Sequence, residues 1–542
     1  MKKEIIDILV NYFDEKEKYY PKIEIFKIND KNDVNYSTNL ALKLSSDLLI
    51  PPIKLAKNIK IFLEENYKNY FEEISITNPG FLNFKLNQSF ITKKLVEFAN
   101  KEYVPNLNLK DKYINYEFVS ANPTGNLHIG HARNAVVGDI YINTVEYLKQ
   151  KIVREYYIND AGNQIINLAN SVFYYYERLV DPSLKENLNS IAYHGSEIIE
   201  YANILFNESK EYKYDYILGN AKEHFLKEIE KTLENLGLKK FEVFTSEQKL
   251  FDDKKVDKFF EIIKKTPHYF EKDGASWLQT SLFGDDKDRV LRKSNNALTY
   301  MVADVANHIE KYNRGFDLMI NLWGMDHHGY EKRVKAALDI LGYDSKKLIV
   351  DYISMVKIAK NGEEVKMSKR KGNALTINET LEMIGKNILR FNMISKLKEQ
   401  NLVIEIDEIN NKNLNNPYWY TQYVNARIFN LFKKYKLENT TKPLKKSFKL
   451  IFSLKENKEF LLIKKMLEFD YIIDSVYKNR EPNILLNYLK EMASVFHSYY
   501  SSYKIISKDD ALTKERVSLI ILFNNLYQRI YKLLGIDIIE NM

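Results

Sequence analysis

The stretch YINYEFVSANPTGNLHIGH, residues 113–131, decides the architecture of this chain. Its first seven residues form a hydrophobic run that reads as a buried strand, SANPTGN supplies a loop, and a helix opens near His128. Strand, glycine-containing loop and helix is the order in which α/β proteins offer backbone N–H groups and a helix dipole to phosphate. Downstream, KIVREYYI (151–158) predicts a second strand, and Asn159, Asp160, Ala161 and Gly162 a second loop before another helix. That rhythm predicts a doubly wound parallel sheet.

Working outward, residues 180–270 are charged and helical in pattern, an expected insertion, after which SWLQTSLF (276–283), MVADVANHI (301–309) and FDLMINLWG (316–324) resume the sheet pattern. Residues 109–400 are therefore expected as a Rossmann-type parallel-sheet domain of α/β class carrying an insertion at about 180–270. Upstream, residues 1–108 alternate helical stretches near 2–19, 36–47 and 51–66 with the strands IEIF (23–26) and FLNFKL (81–86), which bracket the turn signal Asn78, Pro79, Gly80. This is an N-terminal α+β module. Residues 401–542 read as an all-α helical bundle, whose last helix sets Phe523, Leu526, Ile530, Leu533 and Leu534 on one face and stops at Gly535.

Composition bounds the function. Apolar residues are 45% and charged residues 28% of 542, and no run approaches the ~18 apolar residues of a membrane span. The opening MKKEIIDILVNYF is basic, but Glu4 and Asp7 interrupt it and no small-residue cleavage site follows, so the reading is cytoplasmic, without a membrane partner. A net charge of +8, from 81 Lys and Arg against 73 Asp and Glu, permits a nucleic-acid partner without requiring one. The absence of cysteine excludes disulfides, thiolate zinc sites, iron–sulfur clusters and cysteine nucleophiles.

Chemistry concentrates in two places. Four of the nine histidines fall in two tetrapeptides, His128-Ile-Gly-His131 and Met325-Asp326-His327-His328. In the first, imidazoles three apart at a helix start face one side, Gly130 leaves room for a flat ring, and the donors can follow charge building on an α-phosphate as pyrophosphate leaves. Taken alone, a cap and a core histidine explain the pair as well. Further on, Lys366, Met367, Ser368, Lys369, Arg370, Lys371 and Gly372 form a basic loop able to neutralise a triphosphate, although a lone loop of this kind reads more readily as a solvated turn. Adjacent histidines at 327 and 328 diverge on a helix, so no protein-held metal is expected.

Together, the His128–His131 and Lys366–Lys369 tetrapeptides resemble the two signatures of class I aminoacyl-tRNA synthetases. The longer strings EFVSANPTGNLHIGHARNAVVGD, REYYINDAGNQI, WGMDHHGY, VKMSKRKGNALT and NPYWYTQYVNARI resemble arginyl-tRNA synthetases, and STNLALKL and NPGFLNFKL resemble that family's N-terminal domain. The resemblance implies ATP-dependent activation of L-arginine, with Mg2+ borne by the ATP, and transfer to tRNA(Arg), which must be bound first. It implies His128, Gly130, His131, Lys366, Met367, Ser368 and Lys369 at the reacting phosphates, and Gly324, Asp326 and His328 near the ATP. For arginine it implies Ser120, Asn122, Tyr300, Asp304 and Asp326. A guanidinium needs planar acceptors, and Glu117, ending a strand beside the HxGH helix, is the first specificity candidate. Tyr300 and Asp304 also read as a core tyrosine and a surface aspartate.

For RNA, the resemblance implies Phe81 and Asn83 at the D-loop and Trp419, Tyr420, Gln422, Tyr423 and Arg427 at the anticodon loop. A strand-core Phe81 and core helical aromatics are the bland alternatives. Asn126 stands where the family commonly has Pro, Met325 where it has Ala and Asn425 where it has His. Two rivals are a small-molecule nucleotidyltransferase, which would not need the flanking domains, and a silent RNA-binding relative, which would place no demand on intact HxGH and KMSK groups. No dimer seam is visible, which leaves a monomer.

Overall fold

The computed structural model describes residues 2–19, 22–28, 35–99, 102–107, 109–365, 375–435, 454 and 456–540. Lys366, Met367, Ser368 and Lys369 lie outside the described residues. Residues 110–411 form one compact unit, and 1–109 with 412–542 another.

In the first unit, Tyr113–Glu117 is the central strand of a five-stranded sheet. Lys151–Ile158 and then Val243–Ser246 lie on one side of it, Leu318–Gly324 and Leu348–Ile353 on the other, and every neighbouring pair is parallel. Strand order therefore reverses on either side of Tyr113–Glu117, which opens a crevice beyond its carboxyl end. The Ile129–Tyr147 helix follows it and is buried over most of its length. Arg133 on this helix has no exposed surface and donates to the carbonyls of Met393, Ser354, Gln400 and Leu397. Such pairing is what makes a buried guanidinium tolerable.

Two strand expectations change. MVADVANHI is the body of the Tyr300–Asn313 helix, because Val302, Val305, Ala306 and Ile309 recur at three and four residues and meet one apolar cluster. SWLQTSLF splits into an antiparallel strand, Ala275–Leu278, and a 3-10 turn, Thr280–Phe283. Within 180–270, Ser196–Glu208 and Tyr214–Asn235 are helices packed on Asn163–Val180, but Val243–Ser246 is the edge strand of the main sheet. At four residues it is too short to show an alternation.

The second unit contains a four-stranded antiparallel sheet in the order Phe26–Ile28, Asn35–Thr38, Phe81–Leu86, Phe71–Thr77. The strand across the turn from FLNFKL is thus Phe71–Thr77, not IEIF, and the expected helix 36–47 is a strand followed by Leu40–Leu44. Five helices, from Pro417–Lys434 to Asp510–Leu534, make the C-terminal part among the described residues. Phe523, Leu526, Ile530, Leu533 and Leu534 are buried, and Gly535 closes the last helix at φ 64°. Both parts share an interface: Lys94 sits 3.0 Å from Glu4 and 3.6 Å from Asp470, and Tyr103 donates to Asp470 at 2.6 Å.

Candidate active site

His128 is the N-cap of the Ile129–Tyr147 helix, and its Nδ1 accepts the Gly130 N–H at 3.1 Å. His131 Nδ1 accepts the His128 N–H at 3.2 Å, and the two rings stack at 3.7 Å. Because both Nδ1 atoms accept, each neutral ring carries its proton on Nε2. Burial lowers the pKa of His128, and burial with the neighbouring His128 pushes His131 down to about 3. At neutral pH the pair is therefore two uncharged donors at a helix N-terminus. A Cβ on Gly130 would lie 2.9 Å from the His128 ring, so this glycine makes room for the imidazole of its own motif.

The chain leaving the KMSK segment is fixed to the same place. Ile129 N–H donates to Leu375 O at 2.9 Å, Ile377 N–H to Leu127 O at 2.8 Å, and His128 bridges Thr376. Thr376 and Glu379 form a capping box that starts the Ile377–Ile384 helix at this junction.

Beyond the carboxyl end of Tyr113–Glu117 lies a cavity of about 480 Å³. Asn134, one turn past His131, ties the crevice together: its Oδ1 accepts from Val119 N–H at 2.7 Å and its amide donates to Leu322 O at 2.9 Å. Val119 and Ser120 hold φ of 67° and 43°, a left-handed pair that is costly for a β-branched valine and re-aims the chain at the cavity. Ser120 Oγ accepts from Tyr157 N–H at 3.1 Å, and Ser120 and Asn122 both line the wall.

The wall gathers three carboxylates. Glu117 is buried with Oε2 2.6 Å from Lys311 Nζ. Asp304 accepts from the Tyr330 hydroxyl, and burial pushes its pKa up to about 6. Burial first, and the Asp304 charge second, push Glu247 up to about 7. Asp304 is thus a half-buried pocket residue, whereas Tyr300 is 75% exposed where it lines the cavity. Asn307 Oδ1 is buried in the same wall without a hydrogen-bond partner.

Gly324 lines the cavity, but Asp326 and His328 are exposed and do not, while His327 does. The Met325–His327 3-10 turn directs successive side chains about a third of a turn apart, so only one of the histidines faces inward. Sequence reading missed Glu247, Asn307 and Tyr330. The cue for Glu247 was slight: a carboxylate just past a four-residue strand, at the start of a helix that Ser246 caps.

In the other unit, Phe81, Asn83 and Lys85 share the partly open face of their strand, with Leu82, Phe84 and Leu86 buried behind. Phe81 is therefore not a core residue. In the Pro417–Lys434 helix, Trp419, Tyr420, Tyr423 and Arg427 are partly exposed, and the Arg427 guanidinium lies 4.6 Å from the Tyr423 ring centre and 5.2 Å from that of Tyr500. Gln422 differs from expectation: it is fully buried, donating to Asp537 O and accepting from Ile539 N–H and Asn425. It falls on the inward face of the helix with Tyr418 and Asn425, which removes it from an RNA surface.

Comparison with known proteins agrees along the chain. Residues 1–86 match the family described as arginyl tRNA synthetase N terminal domain, 94–416 that of tRNA synthetases class I (R), catalytic domain, and 421–542 the DALR anticodon binding domain. An arginine–tRNA ligase of Mesoplasma florum is 35% identical over 96% of both chains, and one of Bacillus subtilis is 35% identical over 97% of this chain and 95% of its own. The solved arginyl-tRNA synthetase of Thermus thermophilus shares the fold, with a TM-score of 0.77 over 100% of both chains at 19% identity. The Plasmodium falciparum enzyme does so with a TM-score of 0.74 over 100% of this chain and 99% of that one, also at 19% identity. With its N-terminal, catalytic and anticodon-binding regions each accounted for, this chain belongs to the class I arginyl-tRNA synthetase family.

Proposed function

We propose that the protein joins L-arginine to tRNA(Arg). The arginine carboxylate attacks the α-phosphate of ATP, presented with Mg2+ as part of the substrate, to form arginyl-adenylate and release pyrophosphate. The terminal 2′-hydroxyl of the bound tRNA then takes the arginyl group and AMP leaves. The observation that carries this reading is the gathering of Glu117, Glu247 and Asp304 in one cavity beside the HxGH helix. A guanidinium is a planar fork of five donors with no acceptor, and a wall of carboxylates with an unpartnered amide oxygen is its complement.

No side chain need act as nucleophile or strong base: catalysis is alignment plus stabilisation of developing charge. Nε2 of His128 and His131 donate to phosphate, and Lys366 and Lys369 draw charge toward pyrophosphate. The fixing of Leu375 and Thr376 to the HxGH turn supports this, since Lys369 precedes Leu375 by only six residues. We expect Lys369→Ala to lower the activation rate about 10²-fold with little change in tRNA affinity, and single-turnover adenylate formation checks this. Phe81 and Asn83 read the D-loop, and Tyr423 and Arg427 the anticodon loop, by stacking and edge hydrogen bonds. The protein works in the cytoplasm as a monomer; among the described residues, no helix is long and apolar enough to cross a membrane.

The test is pyrophosphate exchange into ATP with each of the twenty amino acids, with and without total tRNA. Exchange with arginine only when tRNA is present supports substrate and order together. Exchange with another amino acid overturns the pocket assignment, and none with any amino acid overturns the enzymatic reading.

A further inference from the structure

Behind the pocket wall lies a wholly buried lysine. Lys311, near the end of the Tyr300–Asn313 helix, has no exposed surface, and its ammonium donates to Glu117 Oε2 at 2.6 Å and Asn321 Oδ1 at 3.2 Å. The Asn321 amide donates to His308 Nε2 at 2.9 Å, and His308 Nδ1 donates to the Asp304 carbonyl at 2.7 Å. One direction follows from another along this row. An ammonium has no lone pair, so Asn321 must turn its oxygen to Lys311 and its NH2 to His308, which leaves the ring proton on Nδ1. Burial first, then the Lys311 charge, hold the pKa of His308 down at about 3, so the ring is neutral and the row keeps one polarity.

A lysine in the last turn of a helix is ordinarily solvated, where it complements the dipole. Burying it is unfavourable unless a partner of opposite charge is fixed beside it. Strand register supplies that partner, since Glu117 stands opposite Asn321 across the Tyr113–Glu117 and Leu318–Gly324 strands. The other charges that face Lys311 are Asp304 and Glu155, and Glu155 is itself paired with Arg314 at 2.7 Å. Glu247 stands beyond Asp304.

We propose that Lys311 is a positioning residue for amino-acid recognition: it touches no substrate, and it fixes Glu117 in the cavity wall as a charged acceptor. The proposal rests on reading the cavity as the arginine pocket. Without the ammonium, the Glu117 carboxylate loses the partner that fixes it and is free to leave its rotamer, so arginine loses a placed acceptor while ATP loses nothing.

The experiment compares Lys311→Met, which keeps the length and removes the charge, with Lys311→Arg in tRNA-dependent exchange at pH 7. We expect Lys311→Met to raise the arginine KM about tenfold at pH 7 with the ATP KM within about twofold. Lys311→Arg should recover part of the loss. Equal effects on both substrates overturn the proposal. Where Lys311→Met does not fold, Glu117→Gln is compared with Glu117→Gln/Lys311→Met, which removes both charges together. No further loss of arginine affinity in the double variant supports action through Glu117, and a further tenfold loss overturns it. The amino-acid preference of the unaltered protein, measured first, separates failure of this proposal from failure of the arginine reading.

Discussion

Asp304→Asn should bind arginine about 30- to 150-fold more weakly, with the ATP KM unchanged, and should melt at a higher temperature than the parent at pH 8. The first effect is the loss of a charged acceptor for a guanidinium, worth roughly 2–3 kcal/mol, at about 1.4 kcal/mol per tenfold. The second follows from linkage. The folded protein raises the Asp304 pKa to about 6, above the ~3.9 of an unfolded chain. Between those values the native state holds the extra proton, so stability falls as pH rises through that window, and above it the ionised group is a standing cost. The amide removes that cost, and the gain should vanish by about pH 3, where the carboxyl is protonated in both states. Melting curves at pH 3 and pH 8, beside arginine and ATP titrations, check both halves. A variant less stable at pH 8 would show that the Lys311 charge facing Asp304 outweighs the cost of its burial. The raised pKa values of Asp304 and Glu247 also predict that arginine KM in the parent rises as pH falls from 8 toward 5.5.

Gly130→Ala should lower the rate of adenylate formation as much as His128→Ala does, about 10²- to 10³-fold, the usual cost of removing one preorganised donor. The added methyl meets the His128 ring at 2.9 Å, and the ring cannot retreat without giving up the cap on Gly130 N–H and its stack on His131. If displacement of His128 is the whole effect, Gly130→Ala/His128→Ala should be no slower than either single variant. Single-turnover rates with saturating tRNA decide this, and additive losses would show that the glycine has a separate role toward ATP.

The central strand pair and the HxGH helix were legible because their signals are local: a hydrophobic run, a glycine loop and clustered histidines within about twenty residues. MVADVANHI was not, since a short apolar run serves a buried helix and a buried strand alike until the length of the element is known. The space at Gly130 was expected to admit a flat ring of a ligand, and the ring that lies against it belongs to His128. Lys311 and Glu247 were illegible for a different reason. Each looks like an ordinary charged residue at a helix end, and only the register of strands distant in sequence brings Glu247 into the pocket wall and Lys311 behind it. Gln422 erred in the opposite sense, because nothing near it in sequence announces the carbonyl of Asp537, 115 residues away, that claims its amide.

The division of the chain also carries a consequence for its synthesis. Residues 1–109 share a compact unit with 412–542, so Lys94 and Tyr103 meet Asp470 only after the intervening 110–411 have been made. At about 5–20 residues per second, those 302 residues take roughly 15–60 s. During that interval the nascent N-terminal segment waits with the Gln88–Ala99 helix, the one that later packs on Asp510–Leu534, uncovered, and by its end the parallel sheet has every strand it needs. Vectorial folding thus completes the catalytic body first and the discontinuous unit last, and a nascent chain stopped before Asp510 keeps an apolar seam open for chaperones to hold.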